Sequence, residues 1–171
     1  MTKWKIDKAR GLSIGVGLML AIILVDAGLI KLALNQRVIT IGTFIVGLAV
    51  LFSLGLLMLI GYWLDGLARA SYALDRNALV ISWGAVKQII PVGQVEQVFT
   101  GEEIEERIHL HAGGMWPGHC IGYGEVLDKG PTLFYATVPP QQQIYIVTST
   151  LTYGISPADH DVFLESLHER W

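Results

Sequence analysis

Two long apolar stretches, residues 11–34 and 38–64, stand almost back to back at the front of this chain. Each exceeds the roughly 20 residues that a helix needs to cross the hydrocarbon core of a bilayer. Only Asn35, Gln36 and Arg37 separate them. Three residues cannot carry a chain back across a membrane, so the stretches are expected to form an antiparallel transmembrane hairpin. Residues 1–65 then form a membrane anchor. Residues 66–171 form a separate domain on the same side as the N-terminus.

Charge is divided between these parts. Residues 1–65 carry a net +3 and residues 66–171 a net −6. Lys3, Lys5, Lys8 and Arg10 crowd the N-terminus, whereas the inter-helix loop offers little beyond Arg37 and the nearby Lys31. The positive-inside bias therefore predicts a protein of the cell inner membrane with both termini in the cytoplasm. A cleaved signal peptide fits poorly, because no small-residue cleavage site follows the first apolar run and a second span comes at once. The single cysteine, Cys120, excludes an internal disulfide and suits a reducing compartment. The acidic second part disfavours nucleic acid, which is bound through Lys and Arg. It also disfavours docking on anionic headgroups.

Asp26 and Lys31 interrupt the first span, and charges at such depth often mark function. The simpler reading places hydrocarbon between about Leu12 and Ile30, with Asp26 about one turn from the far interface and Lys31 snorkelling outward. Gly11-x-x-x-Gly15 and Ala49-x-x-x-Ser53 offer weak helix-packing signals. The hairpin is most simply an anchor.

From Ala70 the pattern changes to short, branched, aromatic-rich runs. Leu79, Ile81 and Trp83 alternate as a half-buried strand requires, between turn signals at Asp75-Arg76-Asn77 and Gly84-Ala85. Further strands are expected at 86–90, 107–111, 132–137, 144–148 and 151–155. Ser156 and Pro157 read as the N-cap and first residue of a closing helix whose apolar stripe is Val162, Phe163, Leu164 and Leu167.

The stretch Tyr72-Ala-Leu-Asp-Arg-Asn-Ala-Leu-Val-Ile-Ser-Trp-Gly, followed by Ile90-Pro-Val-Gly-Gln-Val-Glu-Gln-Val98, resembles the opening of bacterial PH-like (pleckstrin-homology-like) domains. Trp116-Pro-Gly, Gly122-x-Gly124, Phe134-Tyr-Ala-Thr137 and Ile155-Ser-Pro-x-Asp-x-x-x-Phe163 are similar to a subgroup with two preceding membrane helices. Ala78 stands where that pattern usually has a turn glycine. The resemblance implies an all-β PH-like barrel of six or seven strands, closed by a C-terminal helix. It implies a binding or assembly module and no chemistry.

Candidate sites are few. Trp116, Pro117 and Gly118, with Tyr123, read as a glycine-rich partner-binding loop. His109, His111, His119 and Cys120 offer metal-ligand chemistry, since His109 and His111 would share one face of a strand. Glu102, Glu103, Glu105 and Glu106 read as a solvated acidic run. Gly113 and Gly114 lack the lysine and helix of a phosphate loop. No nucleophile elbow or metalloprotease motif occurs, so no catalytic residue and no cofactor are assigned. The first hairpin's only cations, Arg76 and Lys87, make a poor phosphoinositide site. The expectation is a non-catalytic, membrane-anchored module for an unknown protein partner, with self-association as a further option. The alternative is a tethered sensor of a metal or small ligand using the His/Cys region.

Overall fold

The computed structural model describes residues 2–36, 40–103, 108–126 and 130–171. The side chains of residue 103 and of residues 108–110 are outside that description. So are Arg37 and Val38, where the second span was expected to begin, and Glu105 and Glu106 of the acidic run.

Two helices dominate the N-terminal half: α1 at Ala9–Leu34 and α2 at Ile41–Ala68. Both are long and apolar enough to cross a membrane, and most of their large apolar side chains face outward. Thr40 caps α2 by accepting from the Thr43 amide at 3.3 Å, while the Thr43 side chain reaches back to the Thr40 amide. Among the less exposed positions on α1 are Gly11, Gly15, Met19, Ile22, Asp26, Leu29 and Ala33. Among those on α2 are Thr43, Val46, Val50, Ser53, Leu57, Ile60, Leu64 and Leu67. Spaced by three or four residues, they form the seam of an antiparallel pair.

The β-rich part contains more strands than the sequence suggests. A short strand β1 (Thr2–Trp4) precedes α1 and pairs antiparallel with β2 (Ser71–Leu74). The extreme N-terminus, expected to belong to the anchor, is thus the edge of a sheet. Adding β3 (Ala78–Trp83) and β4 (Val86–Pro91) gives the order β1-β2-β3-β4. Ala78, at the departure from the family pattern, simply opens β3, and its carbonyl accepts from the Asp75 amide at 2.9 Å.

The second sheet holds β5 (Val95–Thr100), β6 (Ile108–Trp116), β7 (His119–Val126), β8 (Gly130–Ala136), β9 (Ile144–Thr148) and β10 (Thr152–Ile155). Its order is β5-β9-β10-β8-β7-β6, with β10 and β8 parallel. Among the described residues no ladder joins the two sheets, so the expected barrel closure is not seen. The expected glycine-rich loop is instead the β6–β7 hairpin, turning at Pro117-Gly118. Gly113 and Gly122 face each other across it at φ +131° and +154°, each too close to the opposite backbone to carry a Cβ.

Between the sheets lies a core of Leu74, Leu79, Ile81, Ile90, Ile144, Ile146 and Ile155. Helix α3 (His160–His168) seats Phe163 and Leu167 in it, and Trp4 meets Phe163 edge-on at 5.3 Å. Val162 points outward instead of joining the stripe. Helix α3 also starts later than its Ser-Pro signal suggests, because Ser156 is used elsewhere. It is buried, its hydroxyl accepts from the Thr137 amide at 2.7 Å, and its amide donates to the Tyr72 hydroxyl at 3.2 Å. The Tyr72 hydroxyl in turn donates to the Tyr135 carbonyl. Tyr72, Tyr135, Thr137 and Ser156, which all lie in family-like segments, therefore meet in one buried knot.

Candidate functional site

The turn of the β6–β7 hairpin reaches the start of α1. Gly118 and Gly11 are apposed backbone to backbone, and a Cβ on either would overlap the other. The Trp116 indole donates to the Gly11 carbonyl at 3.3 Å, and Lys8 Nζ donates to the Ala68 carbonyl at 2.8 Å. Burial lowers the Lys8 pKa. Trp63 of α2 packs on Trp116 at 5.6 Å between ring centres. The hairpin turn is thereby fastened to the base of both helices.

A cleft of about 510 Å³ opens beside this junction. One wall is the β6–β7 turn from Met115 to Cys120, and another is the segment from Thr137 to Gln142. Asp7 and Arg10, at the entrance to α1, stand on its rim and give it one charge of each sign. Asp7 also accepts from the Ala9 amide at 3.2 Å, stabilising the free N-terminal donors of α1. Because these residues immediately precede the first span, the cleft sits where the helices would enter a bilayer. Trp63 and Trp116 at this level match the aromatic belt of membrane interfaces.

Two buried groups on the cleft wall, His119 and Cys120, are held toward their neutral forms. His119 is almost wholly buried, stacked on Trp116 at 4.0 Å with Trp83 at 5.9 Å and Trp63 at 6.4 Å. Among the described residues neither of its ring nitrogens has a hydrogen-bond partner, and burial lowers its pKa to about 4. Burial likewise raises the Cys120 thiol, against a smaller opposing effect of Gln143. At neutral pH the cleft offers an imidazole without charge and a thiol without thiolate character.

Of the residues expected to bind a partner, Trp116, Pro117 and Gly118 line this cleft together. Trp116 is tucked against α1 rather than standing at an exposed tip. Tyr123 lies farther along β7, beside His111 at 6.0 Å, and is not part of the cleft. Of the residues in the metal reading, His119 and Cys120 line the cleft and His111 does not. His111 is exposed near Glu125 at 3.8 Å, toward the opposite end of the hairpin from His119. The His109 side chain is outside the described residues, and no group of three potential metal ligands occurs among those described. Glu102 of the acidic run is exposed on a short 3-10 turn and does not line the cleft.

Asp7, Arg10 and the 137–142 segment were not legible as site residues in the sequence. Their one signal was the basic, interface-flanking character of residues 3–10.

Two candidate membrane helices are followed by two β-sheets with a C-terminal helix, and the folded domain is joined to the base of the helices. The family model described as Bacterial PH domain matches residues 70–171, and the chain belongs to that family. No curated protein and no solved structure matches it.

Proposed function

We propose that this chain is a non-catalytic assembly module of the inner membrane, with both termini cytoplasmic, whose cleft receives the juxtamembrane segment of a partner membrane protein. The carrying observation is the junction itself. Gly11 against Gly118 and Trp116 against α1 fix the domain to the hairpin and leave an open cleft at the level where the spans begin. A partner segment leaving the bilayer beside the hairpin would meet the cleft at once, with Arg10 and Asp7 ready for charges of either sign. The reading takes the two sheets as the walls of a PH-type barrel with α3 against one end. The enclosed neutral state of His119 and Cys120 favours recognition over nucleophilic or acid–base chemistry. The N-terminal cluster of cations supports the orientation.

The test uses the full chain in its native membrane, with a photoreactive residue at Pro117 in the cleft or at Val162 on the exposed side of α3. The reading expects a protein adduct from position 117, absent from 162, whose crosslinked peptide flanks an apolar span. An Arg10→Glu exchange should weaken it. Equal adducts from both positions, or adducts with lipid alone, would contradict the reading.

A further inference from the structure

Asp26 lies on the seam of the helix hairpin, not at its edge. It is eight residues inside the end of α1, about 12 Å at the rise of a helix. The apolar surface continues beyond Lys31 through the exposed Leu32 and Leu34. The carboxyl is therefore about two turns from the helix end. It is 8% exposed, and Ser53 of α2 donates to it at 2.5 Å. Among the described residues Ser53 is its one hydrogen-bond donor.

A carboxylate has room for about four hydrogen bonds on its two oxygens, and hydrocarbon supplies none. A lone charge at such depth is costly, and membrane proteins pair it with another group. Among the described residues no cation of this chain lines the groove beside Asp26. Lys31 is five residues on, about 140° around the helix, and points outward. Beside Asp26 the hairpin has an apolar groove of about 350 Å³ that opens sideways. Ala21, Ala49, Val25 and Phe52 are among its lining, and Asp26 and Ser53 are its polar members. Small residues beside a polar pair are what close helix approach in lipid requires.

We propose that this groove docks a transmembrane helix of the partner protein, which presents a Lys, Arg or His side chain to Asp26. The inference rests on the assembly reading and names the membrane-embedded part of the partner. Charge complementarity decides the occupant. A second copy of this chain entering by the same face would set carboxylate against carboxylate. A bare acyl chain would leave the carboxyl with Ser53 alone. Ser53 then has two duties: it holds the hairpin in register and occupies one carboxyl oxygen of Asp26 beside the groove.

The test places a photoreactive phenylalanine analogue at Phe52, a large exposed residue on the groove, in the full chain within its native membrane. The expected adduct maps to an apolar span of a different protein that contains Lys, Arg or His. Asp26→Asn should reduce it by about tenfold, the scale of an interhelical polar contact in lipid. Ser53→Ala, which removes the clasp but keeps the charge, should retain it. If the pair were only an internal clasp, Asp26→Asn would be the milder change, because Asn still accepts from Ser53. An undiminished adduct in Asp26→Asn overturns the inference. So does an adduct to a second copy, to lipid only, or to a span without a cation. The Pro117 probe separates the two readings: its adduct survives if only the groove inference fails, and is missing if the assembly reading itself fails.

Discussion

Gly11 of α1 and Gly118 of the β6–β7 turn touch backbone to backbone, and this contact is where the membrane part and the folded domain become one body. Gly118 has φ +87°, so a larger residue there is strained as well as obstructed.

Gly118→Ala is therefore expected to cost about 1–3 kcal/mol and to loosen the junction. Gly11→Val should loosen it without the strain at residue 118. Limited proteolysis of the full chain in mild detergent checks this, with faster cleavage near the β6–β7 turn expected in both variants.

Trp4 brings a second fastening. It stands at the end of β1 and packs edge-on against Phe163 in the core. Trp4→Ala should destabilise the domain by about 2–4 kcal/mol, somewhat below a fully buried tryptophan because Trp4 is half-buried. A 66–171 fragment also lacks β1, so it should melt lower than the same fragment with residues 2–8 fused through a flexible linker. Thermal unfolding followed by near-UV circular dichroism would measure both.

The buried knot around Tyr72 makes a sharper prediction. Tyr72→Phe keeps the ring but removes the group that donates to the Tyr135 carbonyl and accepts from the Ser156 amide. Leaving buried polar groups unpaired costs about 1–3 kcal/mol. Denaturant midpoints of the detergent-solubilised protein should show that loss, with secondary structure unchanged.

His119 gives the domain an acid-sensitive site. Burial lowers its pKa from 6.5 to about 4, so the unfolded chain takes up this proton at higher pH than the folded protein does. The associated stability is whole above pH 6.5, falls as pH drops below it, and is lost by about pH 4. Its full size is about 3 kcal/mol. His119→Phe, which can still stack on Trp116, should flatten the stability profile between pH 6.5 and 4 relative to the original chain. Parallel profiles for the two proteins would show that His119 is not the group responsible.

The hairpin was legible because transmembrane helices announce themselves through length and uninterrupted apolarity. The alternating faces of β3 and the apolar Phe163 and Leu167 of α3 were readable for the same kind of reason. The strand β1 was not, since three residues of mixed polarity carry no periodicity and pair only because α1 and α2 return the chain to them. Gly113, Gly114 and Gly118 read as a loop that needs close backbone approach; Gly113 and Gly118 do make such approaches, but Gly113 makes its own within a strand pair that glycines do not advertise. Ser156 misled as a cap because its burial against Thr137 and Tyr72 is a tertiary fact. The cleft was half legible: Trp116, Pro117 and Gly118 drew notice, but Asp7 and Arg10 join them only through the return of the hairpin.

The central claim is that the N-terminal strand and the folded domain are joined on one side of the membrane hairpin. Lys3 lies directly opposite Ala73 in the β1–β2 ladder. A full-length Cys120→Ser chain carrying Lys3→Cys and Ala73→Cys, oxidised in isolated membranes, tests this directly. Rapid formation of an intramolecular disulfide is expected, seen as a mobility shift and absent from either single-cysteine control. Persistence of two free thiols, or bridges only between chains, would contradict it.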